Sequence, residues 1–210
     1  MVDGTASDDS LHALFAGQSA AVCCRADGRI HVPDIVPKIL LPGSFNPLHA
    51  GHVGLARAAA ELLGGPAAFE LTVVNADKPP LSPEEVRRRL AQFTWQAPLW
   101  LTLAPTFREK AELFPGTVFV IGADTAARIV EHRFYEHSAD KMHEALACIR
   151  RQGCRFLVAG RLDASGRFLG RDDLALPEAA RDLFDAILAS RFRFDVSSTE
   201  LRATGEPRTE

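Results

Sequence analysis

Short apolar runs alternate with amphipathic stretches along the chain from Lys38 onward. Runs rich in Val, Leu, Ile or Phe are typical of strands that are buried on both faces of a parallel sheet. Five such strands are predicted, at Lys38–Leu41, Phe69–Val74, Leu99–Leu103, Val118–Ile121 and Arg155–Ala159. Because helical stretches or turns follow these strands, the pattern predicts a doubly wound α/β fold.

The helices between these strands carry end signals. The stretch His52–Leu63 has apolar residues at helical spacing and stops before Gly64, a residue suited to the left-handed C-cap of a helix. Ser82–Glu85 and Thr106–Glu109 both fit a capping box, the first with proline at the first helical position. Ala139–Arg150 is a further amphipathic stretch.

Residues 1–34 lack a strong hydrophobic period. Within them, Arg25–Arg29 contains an Asp-Gly pair and is typical of a turn between two short apolar pieces. We predict that residues 1–34 form an N-terminal extension that packs on a main domain of residues 35–210.

The composition narrows the class of protein. With 210 residues and 47% hydrophobic content the chain can bury one substantial core, and a net charge of -3 argues against a broadly basic nucleic-acid binder. The N-terminus is acidic and polar, and no apolar run approaches the roughly 20 residues of a membrane-spanning helix. Four cysteines without paired CxxC spacing favour reduced thiols. We therefore expect a soluble cytoplasmic protein with no nucleic-acid partner and no membrane.

The first predicted strand runs into a loop and a helix that together favour an anion site. The segment Gly43–His52, GSFNPLHAGH, delivers backbone amides to a helix N-terminus, which attracts phosphate, and Gly43 permits close approach to a ligand. His49 and His52 are three residues apart, so both rings can flank one anion. Considered alone, the HxGH quartet would be better explained as a glycine-containing turn with two surface histidines.

A second candidate element is the segment Asp195–Arg202, which begins a short predicted helix. Ser197 and Glu200 could simply form a capping box. Hydroxyls at a helix N-terminus with a guanidinium one turn later could instead hold terminal phosphates. The candidate ligands of this kind are Ser197, Ser198, Thr199 and Arg202.

These segments resemble the HxGH and ISSTxIR motifs of the nucleotidylyltransferase superfamily, with Val196 and Leu201 in place of the two isoleucines. The resemblance is greatest to the nicotinamide and nicotinic acid mononucleotide adenylyltransferases, and it extends to a less characterised cytidylyltransferase-like branch. The VIGAD stretch is similar to the family's IGAD segment, in which the glycine and the aspartate contact the ribose; they are Gly122 and Asp124 here. The resemblance covers residues 38–202 and implies a Rossmann-like nucleotidylyltransferase fold.

The resemblance implies transfer of AMP from ATP to a phosphate-bearing acceptor, with Mg²⁺ carried on the triphosphate and pyrophosphate released. The acceptor it suggests is nicotinamide or nicotinate mononucleotide, giving NAD or deamido-NAD. The implied catalytic residues are His49, His52 and Arg202. The implied nucleotide-binding residues are Gly43, Ser44, Phe45, Gly51, Lys78, Gly122, Asp124, Ser197, Ser198 and Thr199. For Lys78, beside two prolines, a solvated loop charge is an equal alternative. No dedicated metal cage is evident in the sequence.

The identity of the acceptor stays open. Bacterial members of the mononucleotide branch usually have a tryptophan shortly after the IGAD motif, whereas this chain has His132 there, with Phe134 and Tyr135 close by. A phosphopantetheine- or cytidylyl-type transferase of the same fold is one alternative. A catalytically silent nucleotide sensor is another.

Overall fold

The computed structural model describes residues 4–32, 35–74, 79–94, 96–162 and 166–193. The α-helices in this part of the chain are α1 (Gly4–Phe15), α2 (Ala50–Leu63), α3 (Pro83–Leu90), α4 (Phe107–Leu113), α5 (Ala123–Ile129) and α6 (Ala139–Arg151). The strands are β1 (Ala21–Cys24), β2 (Ile30–His31), β3 (Ile39–Pro42), β4 (Ala67–Thr72), β5 (Leu99–Thr102), β6 (Val118–Gly122), β7 (Arg155–Ala159), β8 (Arg161–Leu162), β9 (Phe168–Leu169) and β10 (Phe184–Ile187). Short 3-10 turns cover Ala91–Phe93, His132–Tyr135, Arg171–Asp173 and Glu178–Leu183.

Eight of these strands form one sheet in the order β10-β7-β6-β3-β4-β5-β1-β2. Neighbours from β10 to β5 are parallel, whereas β1 runs antiparallel to both β5 and β2. The chain passes from β3 to β4 and β5 on one side, and then to β6, β7 and β10 on the other. The strand order therefore reverses between β3 and β6, which is the topology of a Rossmann-like fold.

Helices cover both faces of this sheet. In β3, Leu40 enters one apolar cluster, and its neighbours Ile39 and Leu41 enter a second cluster on the opposite face. The first cluster is completed by residues of α4, α5 and α6, among them Ala111, Ala126 and Met142. The second is completed by residues of α1, α2 and α3, among them Leu14, Ala59 and Val86. The predicted fold class, a parallel α/β sheet with helices on both faces, is confirmed.

The five strands predicted from the sequence are confirmed as β3 to β7, with small shifts at their ends. The strands β1, β2 and β10 were not predicted. Each lies toward a side of the sheet and is short, and β10 has two exposed residues between two buried ones, a pattern without regular alternation.

Helix α2 begins at Ala50, two residues before the predicted start, and ends at Leu63 as predicted. Gly64 adopts the left-handed conformation at φ 71°, and its N–H donates to Ala60. The capping box at the start of α4 is also confirmed, because Thr106 and Glu109 exchange backbone-to-side-chain hydrogen bonds.

The start of α3 differs from its prediction in one contact. Ser82 caps the helix by accepting a hydrogen bond from the Glu85 N–H at 3.2 Å. The Glu85 carboxylate does not return to the Ser82 backbone in a capping box, because it pairs with Arg88 and Arg89 on the next turn. The side chain that the sequence assigns to a cap therefore belongs to an ion cluster.

Part of residues 1–34 joins the main sheet. The predicted turn is present between β1 and β2, where Gly28 has φ 84° and donates its N–H to the Arg25 carbonyl at 2.9 Å. Leu11 and Leu14 of α1 are buried in the second apolar cluster. The prediction that the domain boundary lies at residues 34 and 35 stays a prediction.

Candidate functional site

The carboxyl ends of β3 and β6 lie side by side where the strand order reverses. The two strands are parallel and pair Ile39 with Val118 and Leu40 with Phe119. The loop after β3 and the turn after β6 therefore rise from neighbouring positions at one edge of the sheet. Ligands of open α/β sheets bind in such a crevice. The fold thus brings together two of the predicted segments, Gly43–His52 and Gly122–Asp124.

Gly43 lies so close to the aromatic ring of Phe45 that a side chain at this position would collide with it. A Cβ atom at Gly43 would lie 2.7 Å from the Cε1 and Cζ atoms of that ring. Phe45 has a positive φ of 44° and a fully buried side chain, with edge-to-face contacts to Phe69 and Phe93. The ring anchors the loop in the core, so any contact of Phe45 with a ligand has to come from its backbone. Ser44, next to it, is exposed.

His49 and His52 stand at the entrance to α2. His49 is the N-cap residue, and its ring stacks on that of His52 with 3.7 Å between the ring centroids. The His52 ring makes an edge contact with Phe45 at 5.1 Å. The backbone N–H of His49 donates to His52 Nδ1 at 3.3 Å. The structure therefore places the two predicted catalytic histidines against each other. The His52 ring is held by the stacking with His49, by the contact with Phe45 and by the hydrogen bond at Nδ1.

Both rings are neutral at pH 7. Burial and, to a smaller extent, the neighbouring His49 ring together lower the pKa of His52 to about 3. Burial also lowers the pKa of His49. Because His52 Nδ1 accepts a hydrogen bond, the single ring proton of neutral His52 lies on Nε2. His52 is thus a hydrogen-bond donor without a full charge.

The N-terminus of α2 contributes backbone donors beside these rings. Ala50 and Gly51 occupy the first two helical positions, where amides have no carbonyl partner within the helix. The first turn contains no acidic residue, so the positive end of the helix dipole is not compensated from within it. Gly51 is buried in this turn. The arrangement can stabilise an anion.

Three polar side chains of α3 and of the turn after it hold the loop between β3 and α2. They were not predicted from the sequence as site residues. Arg89 donates from Nη1 to the Ser44 carbonyl at 2.8 Å, and Arg88 donates to Asn46 Oδ1 at 2.6 Å. Gln92 contacts the loop at two further points. These contacts connect residues more than 40 positions apart in the chain, so periodicity and motif spacing give no signal for them.

Gly122 and Asp124 lie at the end of β6 and in the first turn of α5. Gly122 is exposed, and a Cβ there would meet no atom within 4 Å. The Asp124 carboxylate is largely exposed and pairs with Arg161 at 3.1 Å. Arg161, which follows β7 at the same edge of the sheet, was not predicted as a site residue. It is the cation that a ligand of Asp124 would meet.

The region expected near the acceptor is a 3-10 turn after α5. Phe134 is exposed by 38%, and the guanidinium groups of Arg128 and Arg133 each lie 4.8 Å from its ring centroid. Tyr135 is directed elsewhere, because its hydroxyl donates to the Ile129 carbonyl at 2.8 Å. His132 is exposed. The guanidinium groups of two arginines therefore lie over a partly exposed aromatic ring in this region.

Five predicted site residues lie outside the described residues. They are Lys78, Ser197, Ser198, Thr199 and Arg202. The described chain ends at Arg193, and just before it the Phe192 ring packs against α2, 3.1 Å from where a Cβ of Gly54 would lie.

In the described ranges no group of three or more His, Cys, Asp or Glu side chains could hold a metal ion. No helix within them is long and apolar enough to cross a membrane.

Comparison with known proteins gives one finding on the family. A family model described as cytidylyltransferase-like matches residues 40–204. The matched range includes all but the first residue of β3, the histidine-bearing loop, the Gly122–Asp124 turn and the segment with Ser197 to Arg202. No curated protein matches the chain.

Proposed function

Because the chain belongs to the cytidylyltransferase-like family of the nucleotidylyltransferase superfamily, we propose that it transfers AMP from ATP to a phosphate-bearing acceptor. We further propose nicotinamide or nicotinate mononucleotide as the acceptor, with NAD or deamido-NAD as the product. One observation carries the proposal. The N-terminus of α2 and two stacked neutral histidines meet at the edge of the sheet where the strand order reverses.

The chemistry proposed for this site needs hydrogen-bond donors from the protein, and it needs no nucleophilic side chain. An oxygen of the acceptor phosphate, anionic at neutral pH, attacks the α-phosphorus of ATP in line. A new P–O bond forms, the bond from the α-phosphorus to the bridging oxygen breaks, and pyrophosphate leaves with the electron pair. His52 Nε2–H, the His49 ring and the first amides of α2 would stabilise the charge on the transferred phosphoryl oxygens.

The rest of the substrate is assigned to the other predicted residues. We propose that Asp124 accepts hydrogen bonds from the ribose hydroxyls. Its carboxylate then has either to bind Arg161 and the ribose at the same time or to release Arg161. Arg202, Ser197, Ser198 and Thr199 would hold the pyrophosphate end, with Lys78 as a further phosphate ligand. Mg²⁺ would enter on the triphosphate, bound mainly by its oxygens.

The proposal is tested by a matrix of substrates. ATP and CTP are each combined with magnesium and one of four acceptors: nicotinamide mononucleotide, nicotinate mononucleotide, phosphopantetheine or phosphocholine. Release of pyrophosphate and the mass of the product are measured. We expect ATP with a pyridine mononucleotide to give the fastest release. Release only with phosphopantetheine, phosphocholine or CTP would replace the substrate assignment, and triphosphate binding without release from any pair would favour a sensor.

A variant of His52 tests the role of the site in this assay. In His52→Asn the shorter side chain can still accept the His49 N–H, but it lacks the donor at Nε2. We expect turnover to fall by about 100-fold, the loss typical for removal of one donor to a developing oxyanion. His143→Ala, which removes an exposed histidine on α6, is the control. Equal turnover in His52→Asn and this control would contradict the role given to His52.

A further inference from the structure

One side chain spans the loop that carries the histidines. Gln92 donates from Nε2 to the Phe45 carbonyl at 3.0 Å, and its Oε1 accepts the N–H of Leu48 at 2.8 Å. Arg89 adds a third contact by donating to the Ser44 carbonyl at 2.8 Å. Arg89 lies in the last turn of α3 and Gln92 three residues later in the 3-10 turn that follows, so the two consecutive carbonyls of Ser44 and Phe45 are held from the same side.

The direction of these carbonyls sets the direction of the next amides. In a trans peptide the C=O and the N–H point in opposite directions. The Ser44 carbonyl shares its peptide with the Phe45 N–H, and the Phe45 carbonyl shares its peptide with the Asn46 N–H. With both carbonyls directed toward α3, both N–H groups are directed away from it.

The side away from α3 is the side of the crevice. Helix α3 connects β4 to β5, whereas β6 lies on the opposite flank of β3. An amide directed from the loop after β3 away from α3 is therefore directed to the flank of β3 on which β6 lies. Phe45 has a positive φ, and such a residue can turn successive N–H groups toward one anion.

We propose that Gln92 and Arg89 are positioning residues that hold the N–H groups of Phe45 and Asn46 toward the phosphates of the nucleotide. This inference rests on the proposed function, because it takes the ligand of the loop to be a nucleoside triphosphate. Arg89 acts through the carbonyl rather than as a phosphate ligand, since it is 8% exposed and its charge is paired with Glu85 at 2.7 Å.

The test compares two variants with controls on the same segment. Gln92→Leu removes both contacts to the loop, and Gln96→Leu, at an exposed glutamine one turn later, is its control. Arg89→Lys keeps the pairing with Glu85 but cannot also reach Ser44, and Arg87→Lys, at an exposed arginine of α3, is its control. Dissociation constants for MgATP, MgCTP and adenosine are measured by calorimetry, and folding is checked by thermal unfolding.

We expect Gln92→Leu to weaken MgATP binding about 10-fold or more, as the loss of one hydrogen bond to a charged ligand implies, and to leave adenosine binding within about twofold. Arg89→Lys should also weaken MgATP binding selectively, but by a smaller factor. A defect in folding alone would weaken both ligands alike, and that result, or MgATP binding equal to the controls, would overturn the positioning role. If the wild type binds neither triphosphate, the proposed function fails and the inference fails with it. Wild-type binding with unchanged variants refutes the inference alone.

Discussion

Replacement of Gly43 by alanine tests whether the loop depends on the buried ring of Phe45. The added Cβ would lie 2.7 Å from two ring carbons, whereas carbon atoms in contact are about 3.5–4.0 Å apart. The ring therefore has to move by about 1 Å. It has little room for this, because His52, Phe69 and Phe93 surround it at centroid distances of 5.1, 5.5 and 5.1 Å.

Overpacking of this kind costs about 1–3 kcal/mol, and we expect the free energy of unfolding in urea to fall by that amount in Gly43→Ala. Turnover should fall about 10-fold to 100-fold, because the displaced ring carries the loop and contacts His52. Gly65→Ala is the control, since its Cβ would meet its nearest atom at 4.0 Å and it lies at the opposite edge of the sheet. If Gly43→Ala is as stable and as active as Gly65→Ala, the ring does not set the position of the loop.

Two further predictions concern buried ionisable groups. The pKa of His52 is lowered from 6.5 to about 3 in the folded chain, so the unfolded chain binds more protons between these values and stability is lost as the pH falls below about 6.5. Since the ring is only half-buried, we expect the free energy of unfolding to fall by about 1–2 kcal/mol between pH 6.5 and about pH 4.5. This fall should be absent from His52→Asn. Parallel curves of unfolding free energy against pH for the two proteins, measured in urea, would refute the prediction. Lys110 donates to Glu70 Oε1 at 2.7 Å, with side chains 5% and 1% exposed, so Lys110→Met should destabilise the fold by about 3–5 kcal/mol. Glu70→Gln combined with Lys110→Met should recover most of that loss in the same urea assay, and simple additivity of the two single effects would contradict a coupled pair.

The sequence was sufficient to predict the central part of the fold. The strands β3 to β7 are continuous apolar runs with helical stretches between them, and hydrophobic periodicity detects such strands because both of their faces are buried. It was not sufficient for β1, β2 and β10, whose short segments carry little periodicity. Their position in the sheet is set by pairing with β5 and β7, which are distant in the sequence.

Some features of the candidate site could likewise be predicted from the sequence, and others could not. The segment Gly43–His52 could be located because a glycine, a proline and two histidines lie within ten residues of the chain. The neutral state of the histidines could not be predicted, because it depends on burial beside Phe45 and on the stacking of the two rings. The same is true of Gln92 and of Arg161, whose partners lie in other elements.

The charges of the described residues decide what the rest of the site has to supply. His49 and His52 are neutral, and the helix N-terminus offers dipoles and not a full charge. Arg88 and Arg89, which contact the loop, share the single carboxylate Glu85, whose pKa they lower to about 2, so this cluster keeps one positive charge. Arg161 is paired with Asp124. On the proposed function, Mg²⁺, Lys78 and Arg202 would supply further positive charge to a bound triphosphate. On the proposed function, replacement of either of those residues would act mainly on triphosphate affinity, whereas replacement of His52 would act mainly on turnover.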